Sequence, residues 1–159
     1  MTTPEAATSL PPLTIRRRVK WGDCDPAGVV YTVTFAEYVI CAAELFYEAL
    51  FGTTPQKAKN EVGFGTPTRS LTFDFQRSLR PDEEFDMTVR VADIRSRTYV
   101  LDIHARTPAG ETVFIAQLTP VCVARAERRS IELPPRLREA LEKYRQQCGE
   151  APLTQGEDL

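Results

Sequence analysis

The chain has one histidine, His104, and one tryptophan in 159 residues. Its four cysteines, Cys24, Cys41, Cys122 and Cys148, are widely scattered, and no Cys-x-x-Cys pair occurs. That poverty excludes a zinc site and a disulfide framework, and no metal or other cofactor is expected. Free thiols point to a reducing, cytoplasmic setting. The formal net charge is only −2, so nothing in the composition calls for nucleic acid or a membrane surface as a partner. No apolar run approaches the roughly 20 residues of a membrane span. The first ten residues lack a basic start followed by an apolar core, so no secretory leader is expected. Repeats and low-complexity stretches are also missing.

What remains is an ordinary globular composition, 42% apolar and 26% charged, sized for one domain with one core. Residues 1–12, rich in Thr, Ala and Pro, are expected to be flexible, as is a polar tail over 148–159. Residues 13–147 are expected to form the single domain.

Leu13 to Trp21 reads as a first strand, with the Arg16–Arg18 run on a partly exposed edge. From Thr34 to Phe51, Phe35, Tyr38, Val39, Ala42, Leu45, Phe46, Ala49 and Leu50 recur at three- and four-residue steps, which predicts a long, well-buried helix. Thr34 and Glu37 match a capping box, and Gly52 a helix stop. A turn or short helix follows around 55–60. The period then becomes two, around Leu71–Phe75, Phe85–Val91 and Tyr99–Ala105, and a longer apolar strand spans Val113 to Arg125 with an irregularity at Pro120. Pro134-Pro135 opens a final surface helix to about Gln147, its apolar stripe limited to Leu137, Leu141 and Tyr144. The fold class is therefore α+β: one long helix wrapped by a curved antiparallel sheet, with a C-terminal helix.

Between the first strand and the long helix lies Gly22-Asp23-Cys24-Asp25-Pro26-Ala27-Gly28-Val29-Val30-Tyr31. Pro26 fixes φ just after Asp25, and Gly28 permits a positive φ. Such a turn holds the Asp25 carboxylate near a helix N-terminus, whose unpaired N–H groups suit carbonyl chemistry. Alternatively Asp25 merely closes the turn; Asp23 is read as structural, bonding loop backbone.

This segment closely resembles the motif of 4-hydroxybenzoyl-CoA thioesterase and its acyl-CoA thioesterase relatives, a hot-dog fold family. The resemblance extends collinearly over roughly Ile15 to Arg125, through Gly65-Thr66-Pro67 and the basic turn Arg95-Ser96-Arg97-Thr98-Tyr99. It implies a thioester hydrolase working on an acyl-CoA substrate as a homo-oligomer, a dimer or a homotetramer built as a dimer of dimers, with active sites between subunits. Asp25 corresponds to the catalytic carboxylate, as nucleophile or general base, and the backbone N–H of Thr32 to the donor that polarises the carbonyl. Tyr31, Thr66, Arg95, Arg97 and Thr98 are the implied substrate-binding residues, the arginines by pairing with coenzyme A phosphates. Arg125, Arg128 and Arg129 are further candidates.

Where relatives carry a second Tyr followed by Pro and Asn, this chain reads Tyr31-Thr32-Val33-Thr34-Phe35, so the acyl group stays open. In another thioesterase subgroup of the fold the acid comes from the helix, which makes Glu44 a weaker competitor. Cys24 lacks a nearby His partner for nucleophilic work, and His104 reads as a surface or interface residue. An acyl-carrier-protein thioesterase and a non-catalytic acyl-CoA-binding protein are the alternative readings.

Overall fold

The computed structural model describes residues 5–7 and 11–149. Among these residues, eight strands and three α-helices follow one another as β1 (Glu5–Ala7), β2 (Thr14–Arg18), α1 (Thr32–Phe51), α2 (Pro55–Val62), β3 (Phe64–Gly65), β4 (Thr68–Phe75), β5 (Glu84–Ile94), β6 (Tyr99–Arg106), β7 (Thr112–Pro120), β8 (Val123–Ala124) and α3 (Pro135–Cys148). Six strands form one antiparallel sheet in the order β1-β2-β5-β6-β7-β4; β3 and β8 make a separate two-stranded pair.

The period-two apolar residues of β5 and β6 face inward, whereas on β4 Leu71 and Phe73 are half-buried and Phe75 is exposed. Phe85, Met87, Val89 and Val91 of β5, Leu101, Ile103 and Ala105 of β6, and Phe114, Ala116 and Leu118 of β7 line the inner face. They close on Phe35, Tyr38, Val39, Ala42, Phe46 and Tyr47 of α1. Each fully buried large side chain contributes about 1.5–3 kcal/mol, so this interface between helix and sheet dominates stability.

Several expectations are refined. Within the stretch expected to be flexible, Glu5–Ala7 add a short edge strand, pairing Ala7 with Ile15. The remainder of that stretch up to residue 10, and the tail beyond residue 149, lie outside the described residues. The long helix begins at Thr32 rather than Thr34, with Tyr31 as N-cap, so Thr34 is a first-turn residue and the capping box does not form. The cause lies upstream: the turn delivers Tyr31 to the helix start already bonded, its N–H donating to the Asp23 carbonyl at 3.0 Å. Gly52 ends the helix with φ 66°.

The apolar run after Val113 is not one strand. It stops at Pro120, where pairing leaves the sheet, and resumes at Val123 against β3. Gly65 lets the two strands approach closely, since a Cβ there would sit 3.2 Å from Val123 Cγ2 and push that side chain aside.

The final helix lies on the surface, and its thin stripe has a definite task. β2 covers β5 only over Glu84–Thr88. Beyond that point α3 supplies the donors: Tyr144 Oη to the Val89 carbonyl at 2.6 Å, Arg145 to Ala92 at 3.1 Å and Arg138 to Arg95 at 2.7 Å. Leu137, Leu141 and Tyr144 are buried beneath it, so the helix closes a sheet edge that would otherwise be open. At the opposite margin, β4 pairs only with β7, and most of its residues are exposed. No described helix is long and apolar enough to cross a membrane.

Candidate active site

The segment between β2 and α1 folds into a small closed hairpin. A one-turn 3-10 helix, Trp21–Asp23, leads into it. Tyr31 N–H donates to the Asp23 carbonyl at 3.0 Å, Cys24 bridges Val30, and Asp25 N–H donates to the Val29 carbonyl at 2.9 Å. The tip is closed by Gly28 N–H on the Asp25 carbonyl at 2.9 Å, with Gly28 at φ 78°. Pro26 and Gly28 thus act as the sequence predicts. The hairpin is anchored by Val30 N–H, which donates to the Leu79 carbonyl at 2.9 Å.

Two consequences follow for chemistry. Asp25 is half-buried, and its Oδ1 accepts the Ala27 N–H at 2.8 Å, which fixes the side-chain rotamer. Oδ2 carries no hydrogen bond among the described residues. Two rungs along the same hairpin the chain enters α1, where the N–H groups of Thr32 and Val33 have no carbonyl one turn back to bond. A fixed carboxylate and a pair of unsatisfied helix-start donors therefore share one rigid unit. Exposed apolar surface surrounds it: Trp21 is 84% exposed, Tyr31 52% and Val33 63%.

Asp23 is buried and structural, as its place in the turn predicts. Its Oδ2 accepts the Lys20 N–H at 3.0 Å and the Tyr38 hydroxyl at 2.8 Å. Cys24 is not activated: its thiol leans on the Lys20 carbonyl at 3.7 Å, and burial together with the Asp23 and Asp25 carboxylates pushes its pKa up.

The other sequence-derived candidates gather elsewhere. Thr66 accepts from the Tyr47 hydroxyl at 3.2 Å. Tyr47 lies 15 residues into α1 from Thr32, roughly 22 Å along the axis at the helical rise. At that same end Thr98 is buried, so it serves the hairpin through its backbone, accepting the Arg95 N–H at 2.8 Å and bridging Val121. Arg95 and Arg97 are exposed. Arg95 pairs with Asp93 at 2.8 Å, and Arg97 donates to Ser130 Oγ at 2.9 Å. That contact brings the hairpin to the segment carrying Arg125, Arg128 and Arg129, giving one basic end. Glu44 is exposed on α1 and His104 half-buried on β6, neither within the turn.

One buried polar cluster escaped the sequence reading. The Tyr47 and Tyr99 hydroxyls are hydrogen-bonded to each other beside Thr66, and Lys59 Nζ sits 4.6 Å from the Tyr47 ring centroid. Burial raises the Tyr47 hydroxyl to about 12 and the Cys122 thiol to about 11, and lowers Lys59. Tyrosine spacing on α1 looks like ordinary core, so only the fold reveals the cluster. Among the described residues no group of three or more His, Cys, Asp or Glu side chains is placed to hold a metal.

The geometry can be compared with known proteins. The family model of the thioesterase-like superfamily matches residues 19–141. No curated protein sequence matches the chain. Solved structures do. The 4-hydroxybenzoyl-CoA thioesterase from Pseudomonas sp. strain CBS-3 superposes with TM-score 0.70 at 25% identity, over 80% of this chain and 96% of that one. A 1,4-dihydroxy-2-naphthoyl-CoA thioesterase from Synechocystis gives 0.72 at 22%, over 80% and 93%. A Staphylococcus aureus protein solved in complex with CoA gives 0.81 at 12%, over 100% and 98%. The wrapped helix with its C-terminal addition is thus the hot-dog fold.

Proposed function

The chain belongs to the thioesterase-like superfamily and is a hydrolase of thioester bonds, and from that premise we propose that it cleaves an acyl-CoA with Asp25 as its catalytic carboxylate. The observation that carries this reading is the hairpin 23–31, which holds the Asp25 carboxylate and the first N–H groups of α1 in one hydrogen-bonded frame.

A thioester carbonyl is electrophilic and its thiolate leaves readily, so hydrolysis needs a carboxylate and carbonyl polarisation but no strong general acid. Asp25 attacks the carbonyl carbon or draws the proton from an attacking water, as nucleophile or general base. Charge developing on the carbonyl oxygen falls to the Thr32 N–H, strengthened by the helix dipole. The bond to sulfur breaks and coenzyme A leaves as a thiolate that takes up a proton. The acyl group is released as a carboxylate, directly where water is the attacker, or, where Asp25 is the attacker, once water hydrolyses the mixed anhydride and restores the Asp25 carboxylate. Tyr31 and its exposed apolar neighbours flank the acyl side. Arg95 and Arg97, with Arg125, Arg128 and Arg129 beyond, receive the phosphates.

The turn and the basic end lie far apart on one chain, and β4 is an edge strand with most of its residues exposed. A second copy pairing along β4 about a two-fold axis sets the Thr66 end of one α1 against the Asp25 end of the other. The proposal therefore includes a homodimer, or a dimer of such dimers, with each site shared. Its four free cysteines fit a cytoplasmic protein.

The test is thiol release over a panel of aromatic, short-chain and branched acyl-CoAs and one acyl-carrier-protein thioester, with light scattering on the same sample. Turnover of a CoA ester by a species of at least twice the 17.9 kDa chain mass is expected. Turnover of the carrier-protein thioester alone, or CoA binding without turnover, moves the chain to the corresponding alternative. An active monomer removes the shared site.

A further inference from the structure

Directly behind the candidate catalytic turn, three side chains that an apolar core would normally reject are buried in a row. Arg17 is 6% exposed and lies on the inner face of β2, between Ile15 and Val19. The sequence places it in an exposed basic run, whereas only Arg16 and Arg18 point outward, to Asp86 and Asp82. The Arg17 guanidinium sits over the Tyr38 ring, 4.7 Å from its centroid. Tyr38 is fully buried on α1, two turns from its start, and donates its hydroxyl proton to Asp23 Oδ2 at 2.8 Å. Asp23 in turn holds Lys20 N–H with that oxygen and Tyr31 N–H with its carbonyl.

Burying such groups gains little stability by itself, because desolvation offsets what their contacts return. Apolar residues of similar volume would fill this space at least as well. The row is informative because of where it ends. Through Tyr38, the helix that presents the Thr32 N–H grips the residue that begins the Asp25 hairpin. Resting on the reading of Asp25 and Thr32 given above, we infer that Arg17 and Tyr38 are positioning residues, which set the Asp25 carboxylate and the helix-start N–H at a fixed mutual distance by clamping Asp23. Displacing reacting groups by about 1 Å costs on the order of 10²-fold. Burial and the adjacent Asp23 carboxylate also raise the Tyr38 pKa far above its ordinary value, so its hydroxyl is a permanent donor.

The test removes one oxygen. Tyr38→Phe is compared with Tyr144→Phe, a second buried tyrosine, whose hydroxyl bonds Leu13 N–H and the Val89 carbonyl away from the turn. For each, kcat and KM on an acyl-CoA are measured, with amide hydrogen exchange at Asp25 and Tyr31. Tyr38→Phe is expected to lower kcat tenfold or more with KM within twofold, and to speed both amides at least tenfold. Tyr144→Phe is expected to lower the melting temperature and leave all four quantities in place. Should Tyr38→Phe fail to fold, Asp23→Asn carries the same comparison. Unchanged exchange and kcat within twofold in the turn variant overturn the inference, as does an equal loss in Tyr144→Phe. Asp25→Asn is run alongside. If that variant stays active, the reading of Asp25 fails while the exchange data still decide the clamp. If it is inactive and Tyr38→Phe behaves as wild type, only the clamp falls.

Discussion

The Gly28 N–H donates to the Asp25 carbonyl at 2.9 Å, and Gly28 does so in the left-handed region at φ 78°. A side chain there costs about 1–2 kcal/mol in backbone strain. No heavy atom lies within 4 Å of the position its Cβ would take, so crowding adds nothing. Gly28→Ala should lose about that stability in denaturant unfolding. It should lose more in kcat than its folded fraction explains, because the strain falls on the bond that shapes the Asp25 turn. A variant with full kcat would show that the turn tolerates rearrangement.

Arg97 reaches outward from the β5–β6 turn and is braced by Ser130. Arg97→Ala should raise KM for an acyl-CoA with a smaller change in kcat, and leave an acyl-pantetheine substrate nearly unaffected. A well-formed charged contact to phosphate is worth about 1.5–3 kcal/mol, and less when solvated. Equal KM losses on both substrates would mean that Arg97 supports the fold, leaving Arg125, Arg128 and Arg129 to hold the nucleotide.

Leu137 is fully buried where α3 closes the free half of β5. Leu137→Ala should cost about 2–5 kcal/mol. Arg145→Ala, which removes one exposed bond to the Ala92 carbonyl, should cost about 1 kcal/mol or less. Chemical denaturation of both variants tests whether α3 works chiefly through its apolar stripe.

His104 is half-buried on β6, and burial lowers its pKa from 6.5, assisted by Arg106 and Arg90 and opposed by Asp102. As pH falls below about 6.5 the unfolded chain binds a proton that the native chain refuses, so stability declines until the folded pKa is passed. His104→Gln should flatten the dependence of melting temperature on pH in that window. An unchanged slope would assign the acid sensitivity to other groups.

Much of this could be read from the chain because its signals are local. The i, i+3, i+4 stripe of α1, the alternation in β5 and β6, and the Pro26 and Gly28 punctuation each follow from backbone geometry within a few residues. What escaped depends on distant partners. Arg17 reads as exposed from its arginine neighbours, and only the packing of α1 against β2 turns it inward over Tyr38. Thr34 offers a cap, yet the helix starts earlier because the Asp23 carbonyl binds the Tyr31 N–H. Tyr47 and Tyr99 lie 52 residues apart and meet only once the sheet has curled around the helix. Resemblance, rather than spacing, supplied the roles assigned to Thr66, Arg95, Arg97 and Thr98, and within one chain these residues stand apart from Asp25.

The central claim is that Asp25 performs the hydrolysis from a preformed turn, and kcat of Asp25→Asn on the best acyl-CoA tests it most directly. Asn retains the size and the oxygen that accepts the Ala27 N–H, so melting temperature and oligomeric mass should match wild type. A fall in kcat of about 10²–10⁴-fold is predicted for loss of a general base, and more for loss of a nucleophile. A folded Asp25→Asn protein that keeps more than about a third of wild-type kcat, against that predicted fall, would contradict the account and turn attention to Glu44.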